Sequence, residues 1–153
     1  MEMEKRIFAV EFKAVGDSAP GTFTGYGSVF NVVDSYQEIV APGAFAKSLS
    51  DWQKKGRMPA LLWQHNSDQP IGVYTKIYED GTGLYVEGKL LINEVQQAKE
   101  AYALLKEGAV SGLSIGFVTN KDQVDRSTGV RTLEEVDLWE CSLVTFPAND
   151  VAR

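Results

Sequence analysis

The sequence predicts an α+β fold, a mainly antiparallel, closed β-barrel with flanking helices, on three observations. Most of the chain falls into short stretches of two-residue alternation, each ended by Gly, Pro, Asn or Asp. Only two stretches repeat their apolar residues at helical spacing. Those two do not alternate regularly with the strands, as a doubly wound parallel sheet would require. At 153 residues the chain is expected to be a single core domain, 1–153, able to bury a core without staples.

Taken in order, Arg6 to Val15 alternates loosely as a strand and ends at Gly16-Asp17-Ser18, with Pro20-Gly21 behind it. Thr22 to Phe30 is a second strand, in which Gly25 and Gly27 mark a bend or bulge. Asn31 to Tyr36 is turn-like, and Glu38 to Val40 is briefly extended. Pro42-Gly43-Ala44 opens a helix with Phe45, Leu49 and Trp52 as its apolar stripe and Gly56 as its C-terminal cap. Met58 to Gln64 reads as a buried strand that delivers His65, and Asn66 to Pro70 as a polar loop. Ile71, Val73, Thr75 and Ile77 alternate, residues 79–83 turn the chain, and Leu84, Val86 and Leu90 complete a hairpin. Asn93 is the expected N-cap of a second helix that buries Val95, Ala98, Tyr102 and Leu105 and stops at Gly108. Val110 to Phe117 is a strand, Lys121 to Gly129 a charged turn, and Val130 to Phe146 a long strand broken by Pro147-Ala148-Asn149-Asp150.

Composition narrows the functions. The net charge of −6 argues against nucleic-acid binding, which needs a clustered basic surface. The densest basic run, Lys54-Lys55-Gly56-Arg57, sits at a predicted helix end and complements its dipole. One cysteine, Cys141, and one histidine, His65, exclude an internal disulfide and a conventional structural zinc centre, so no metal or cofactor is expected. No apolar run approaches membrane-spanning length, and Met1 to Arg6 leads into an alternating stretch rather than an apolar leader, so a cytosolic protein without membrane partners is expected.

The chemistry centres on Val110-Ser111-Gly112-Leu113-Ser114-Ile115-Gly116-Phe117. Leu113, Ile115 and Phe117 suit a core, while the opposite face carries a hydroxyl between glycines, open to the approach of another chain. Small residues in a strand also mark bulges and close backbone contacts, so the pattern alone leaves Ser114 between nucleophile and structural residue. His65, at the junction of a buried run and a polar loop, is the single histidine available as its base, or else a structural hydrogen-bonder. In Val136 to Val144 the even positions Leu138, Glu140, Ser142 and Val144 are expected to share a face. Glu140 is then a carboxylate in an apolar strand that needs a partner, either a histidine or a Lys or Arg. Ser111 and Ser142 compete with Ser114. Ser111 lies at a strand start, and Ser142 would crowd Glu140. Gly116 is read as room for a substrate carbonyl, and Cys141 as a small buried hydrophobe facing away from Glu140. Glu134, Glu135 and Asp137 read as solvated charges, and nothing fixes the separation of a Glu87/Glu140 glycosidase pair.

Four segments together resemble the HK97-type phage prohead (capsid maturation) protease family. They are Tyr26-Gly27-Ser28-Val29-Phe30 with Glu38-Ile39-Val40-Ala41-Pro42-Gly43-Ala44-Phe45; Leu61-Leu62-Trp63-Gln64-His65-Asn66 with Pro70-Ile71-Gly72; Ser111-Gly112-Leu113-Ser114-Ile115-Gly116-Phe117; and Leu138 to Asn149. Ordered along nearly the whole chain, they are far more specific together than singly. The resemblance implies a serine endopeptidase with a barrel similar to the herpesvirus assembly proteases, in which Ser114 is the nucleophile, His65 the general base and Glu140 its orienting acid. Herpesvirus relatives use a second histidine as third member; this chain has none, so a carboxylate must take that place. Cys141 departs from the aliphatic residue expected there, but on the face away from Glu140.

The implied partners are the major capsid protein precursor with its scaffold segment and the protease itself, by self-cleavage or as a homodimer. The implied location is the host cytoplasm, inside the assembling prohead. Full-length members generally continue into a polar tail, so this chain is expected to represent the core. The acidic balance weakly favours basic residues near the cleavage site. The rival is a non-catalytic module that binds capsid or scaffold protein, which leaves His65 and Glu140 without a role. A small-ester hydrolase is disfavoured because no Gly-x-Ser-x-Gly pentapeptide is present.

Overall fold

The computed structural model describes residues 3–8, 13–14 and 19–145. The expected turn at Gly16-Asp17-Ser18 and the closing stretch from Phe146 to Asn149 lie outside them. The elements run β1 (Glu4–Phe8), β2 (Lys13–Ala14), β3 (Thr22–Val29), β4 (Glu38–Val40), α1 (Ala46–Lys54), β5 (Ala60–Trp63), β6 (Asn66–Glu79), β7 (Gly83–Leu90), α2 (Gln96–Lys106), β8 (Gly112–Val124) and β9 (Arg131–Val144). The described strands form one sheet in the order β1-β8-β9-β5-β6-β7-β3-β2, with β4 also on β9. Most pairings are antiparallel, as expected; β4 and β5 run parallel to β9.

The single strand expected over Arg6 to Val15 is instead two, at opposite ends of this order. Five peptide steps separate Phe8 from Lys13 and reach at most about 18 Å, so the sheet must curl to bring its ends near each other. The curl shows inside, where a Cβ added to Gly27 would lie 3.1 Å from the Ile115 side chain and 3.5 Å from Cys141 Sγ. The curled sheet is open at its ends: no ladder joins β1 to β2 among the described residues, against the closed barrel expected. Gly27 is also the extra residue of a bulge in β3, where the sequence places one.

Burial explains the elements. One cluster takes in Phe23, Phe30, Phe45, Leu61, Tyr74, Leu84, Val86, Leu90, Leu113, Ile115, Phe117 and Leu143. In β6 the alternation misleads. Thr75 is an extra residue opposite β7, so Tyr74 and Ile77 turn inward, whereas Val73 and Thr75 are exposed. Residues 66–70, expected as a loop, belong to β6, and three of them bulge out between the Trp63–Asn66 and Leu62–Pro70 pairs.

Both helices start later than their sequence signals. Residues 42–45 are turns, and α1 has no cap of its own; the Glu79 carboxylate accepts the Gly43 and Phe45 N–H groups, each at 2.8 Å. α2 begins at Gln96 behind Val95, without a side-chain cap from Asn93, and buries Ala98, Ala101, Tyr102 and Leu105. Gly56 and Gly108 follow the two helices at φ +68° and +80°, the left-handed geometry a C-terminal glycine supplies. The charged stretch 121–124 continues β8 rather than turning.

Candidate active site

β8 and β9 build the site across their ladder. Ser114 stands opposite Ser142, and Gly116 opposite Glu140. The other face pairs Leu113 with Leu143, Ile115 with Cys141 and Phe117 with Leu138, all in the core. Leu138 and Glu140 therefore do not share a face. Gly116 and Phe117 are adjacent, yet their partners Glu140 and Leu138 are two apart, so Trp139 is a bulge that reverses the alternation. α1 braces the Leu138 backbone beside it. The Leu138 N–H donates to Ser48 Oγ at 2.8 Å, and Trp52 Nε1 donates to the Leu138 carbonyl at 2.7 Å.

β5 lies parallel on the other side of β9 and delivers the histidine. Trp63 pairs with Asn66, so Gln64 and His65 are the two-residue loop between β5 and β6. Both have positive φ, 53° and 63°, the signature of a type I′ turn, here without the usual Asn or Gly. Left-handed geometry costs each about 1 kcal/mol. Hydrogen bonds offset it: Gln64 N donates to the Leu143 carbonyl at 3.0 Å, and His65 N donates to Ser142 Oγ at 3.1 Å. Gln64 Nε2 donates to Thr145 Oγ1 at 2.5 Å.

This loop aims the imidazole between the two strands. His65 Nε2 lies 2.6 Å from Ser114 Oγ, and Nδ1 contacts Glu140 Oε2. Ser142 Oγ donates to the other carboxylate oxygen, Oε1, at 2.8 Å. A carboxylate offers acceptors only, so the nitrogen facing it carries the hydrogen and Nε2 presents its lone pair to the serine hydroxyl. The His65 and Glu140 side chains are only 13% and 9% exposed, which leaves water little chance to compete. The three residues expected from the sequence come together.

Other expectations change. Gly116 does not make room for a substrate carbonyl: a Cβ there would lie 3.0 Å from Glu140 Cδ and closer still to Oε2, so the glycine makes room for the carboxylate. Ser142 does not compete as a nucleophile; it links the His65 backbone to Glu140. Ser111 is exposed. Glu87 is on β7, hydrogen-bonded by Tyr85 and three places from β9 in the strand order. Cys141 is fully buried in the core, where burial pushes its thiol up to about 12.

Sequence reasoning also missed a neighbour. β1 pairs along the free side of β8 with Ile7 opposite Ser114, and the Arg6 carbonyl oxygen lies 3.2 Å from Ser114 Oγ, where it competes with His65 Nε2 for the single hydroxyl hydrogen. Ser114 consequently has no exposed surface. No local pattern signals this, because the contact joins residues 108 apart.

Comparison with known proteins agrees with the resemblance. The sequence profile of the caudovirus prohead serine proteases matches residues 8–153. The prohead protease of Enterobacteria phage HK97 is 37% identical over 144 residues, covering 93% of this chain and 62% of that protein. A capsid polyprotein of Pseudomonas phage PAJU2 is 35% identical over 156 residues, 97% of this chain and 22% of that protein. The chain thus spans less than two thirds of the length of either relative. The solved structure of the bacteriophage T4 capsid assembly protease superposes with a TM-score of 0.67, covering 94% of this chain and 99% of that one, at 13% identity. At that identity the likeness concerns the fold.

Proposed function

The chain belongs to the caudovirus prohead serine protease family, and from that membership we propose that it is a serine endopeptidase of prohead maturation. Its substrates are the scaffold segments of capsid precursors, and the chain itself. The observation that carries this reading is the contact line from Ser114 through His65 to Glu140, which three separate elements contribute. Ser114 Oγ attacks the scissile carbonyl carbon while His65 Nε2 takes its proton. The C–N bond breaks, and the same proton passes to the departing amine. Water, deprotonated by His65 in turn, releases the acyl group. Glu140 keeps the imidazole in the tautomer this requires and stabilises the imidazolium.

Self-cleavage is supported by β1, whose Arg6 carbonyl is within hydrogen-bond distance of the nucleophile. Capsid substrates are supported by relatives named for the prohead and the capsid, and the site of action follows as the assembling prohead in the host cytoplasm. The test is incubation of this chain with its capsid precursor beside Ser114→Ala and His65→Ala, read by intact mass. Discrete fragments from the parent chain alone are expected. Equal fragments from all three would refute the roles given to Ser114 and His65.

A further inference from the structure

Arg6 reaches the nucleophile with its backbone and a second, separate site with its side chain. Glu38, on β4, is 4% exposed, and its carboxylate accepts from Arg6 Nε at 2.7 Å and from Nη2 at 3.1 Å, the two-pronged pairing of guanidinium with carboxylate. The Tyr36 ring stacks on the same group, 4.6 Å from its centre. Asp34 fixes both residues by accepting the Tyr36 and Glu38 N–H groups at 2.8 and 3.0 Å. Arg131 Nη1 shares Glu38 Oε2 at 2.9 Å, but Asp122 also holds Arg131, through Nε at 2.6 Å. Among the described residues, Oε1 of Glu38 serves Arg6 alone. A carboxylate this buried is costly without a cation, and of the two it takes, the one that engages both its oxygens belongs to the residue whose carbonyl lies against Ser114 Oγ.

Resting on the protease reading above, we propose that Glu38 and Tyr36 form the pocket that selects a basic residue, arginine before lysine, immediately before the scissile bond. Arg6 occupies that pocket as the chain's own substrate-like residue. In a cleaved peptide, Ser114 Oγ bonds to the carbonyl carbon of the basic residue, the following C–N bond breaks, and the proton passes through His65 to the amine. Water then completes hydrolysis. Arginine leads because its planar fork matches a carboxylate and stacks on a ring, which an ammonium does less well. Glu38 could instead simply anchor β1. An anchor alters how firmly β1 is held without altering which peptides are cut.

The test uses peptides of one sequence that differ only before the scissile bond, carrying Arg, Lys, citrulline or Glu, against the whole chain, Glu38→Gln and Tyr36→Leu. Cut sites in the capsid precursor are mapped alongside. Arg is expected to exceed uncharged citrulline in kcat/KM by about 10- to 100-fold, the range of a charged hydrogen bond. Glu38→Gln should bring the two within about threefold, and Tyr36→Leu, which leaves the Glu38 carboxylate in place, should lower the ratio severalfold. Equal cutting of Arg and citrulline, a preference that survives both substitutions, or precursor sites without basic residues would overturn the pocket and leave the protease reading standing. A folded chain that cuts neither the peptides nor the precursor would overturn the protease reading, and the pocket with it.

Discussion

Replacing Gly116 with alanine perturbs the site at its tightest point. The added Cβ would lie 3.0 Å from Glu140 Cδ, against 3.4 Å for ordinary contact, and nearer still to Oε2, so the carboxyl must withdraw by at least 0.4 Å. Oε2 is the atom that holds His65 Nδ1, and Oε1 is tied to Ser142 at 2.8 Å, which leaves little room to yield without losing one of them. Misplacement on this scale costs about 10²-fold, and loss of the orienting carboxylate about 10⁴-fold, in a serine triad. The expected fall in kcat is therefore roughly 10² to 10⁴, or about 2.7 to 5.5 kcal/mol of transition-state stabilisation. Folding should change little, because the clash meets the far end of a side chain and alanine in a strand regains about 0.5–1 kcal/mol over glycine. Steady-state cleavage of a peptide substrate, beside urea unfolding of both proteins, measures the two effects. Activity within threefold of the parent would refute the argument that Gly116 exists to seat Glu140.

The remaining expectations concern the same framework. Gly72→Ala should behave oppositely and unfold the chain by several kcal/mol in denaturant melts, since its Cβ would lie 3.0 Å from Leu90 Cα and nearer still to the Lys89 carbonyl, backbone that cannot step aside. Ser142→Ala should lower kcat about 10- to 100-fold with little effect on KM, because it frees one Glu140 oxygen and the His65 N–H together; an unchanged kcat would remove Ser142 from the site. Cys141, buried with its thiol near 12, should resist alkylation in the native chain at pH 8 and react on unfolding, followed by mass. A hydrogen bond from Arg131 holds the Glu4 carboxyl below its usual 4.5 against the opposing effect of burial, with Thr119 and the charges of Arg131 and Arg6 assisting. A depressed carboxylate stabilises fully above its unfolded pKa and loses that contribution as pH falls through the folded value. The tie that Glu4 makes from β1 to Arg131 on β9 should thus persist at neutral pH and weaken only in acid below about 4.5, with the Glu4 carboxyl resonance titrating below 4.5 by NMR.

What the sequence revealed and concealed divides by range. The inward run Leu113, Ile115, Phe117 and the helix stripes follow from period alone, and the motifs around His65, Ser114 and Glu140 point to three residues that do converge. Bulges defeat period. Trp139 reverses the face on which Leu138 would otherwise join Glu140, and Thr75 turns Tyr74 inward in place of Val73, because an extra residue is defined only by its partner strand. Roles set by neighbours distant in sequence were equally hidden. Gly116 reads as open space until Glu140 fills it, Ser142 as a rival serine until it bridges His65 to Glu140, and Arg6 as an ordinary strand residue until β1 docks on β8.

The central claim is that His65 stands as a base between Ser114 and Glu140, and its being the one histidine in the chain makes it directly measurable. Nitrogen NMR of protein labelled with ¹⁵N-histidine should find the neutral ring protonated at Nδ1 and bare at Nε2, with the Nδ1 proton far downfield and lost in Glu140→Gln. A ring protonated at Nε2 alone, or one indifferent to Glu140→Gln, would contradict the account.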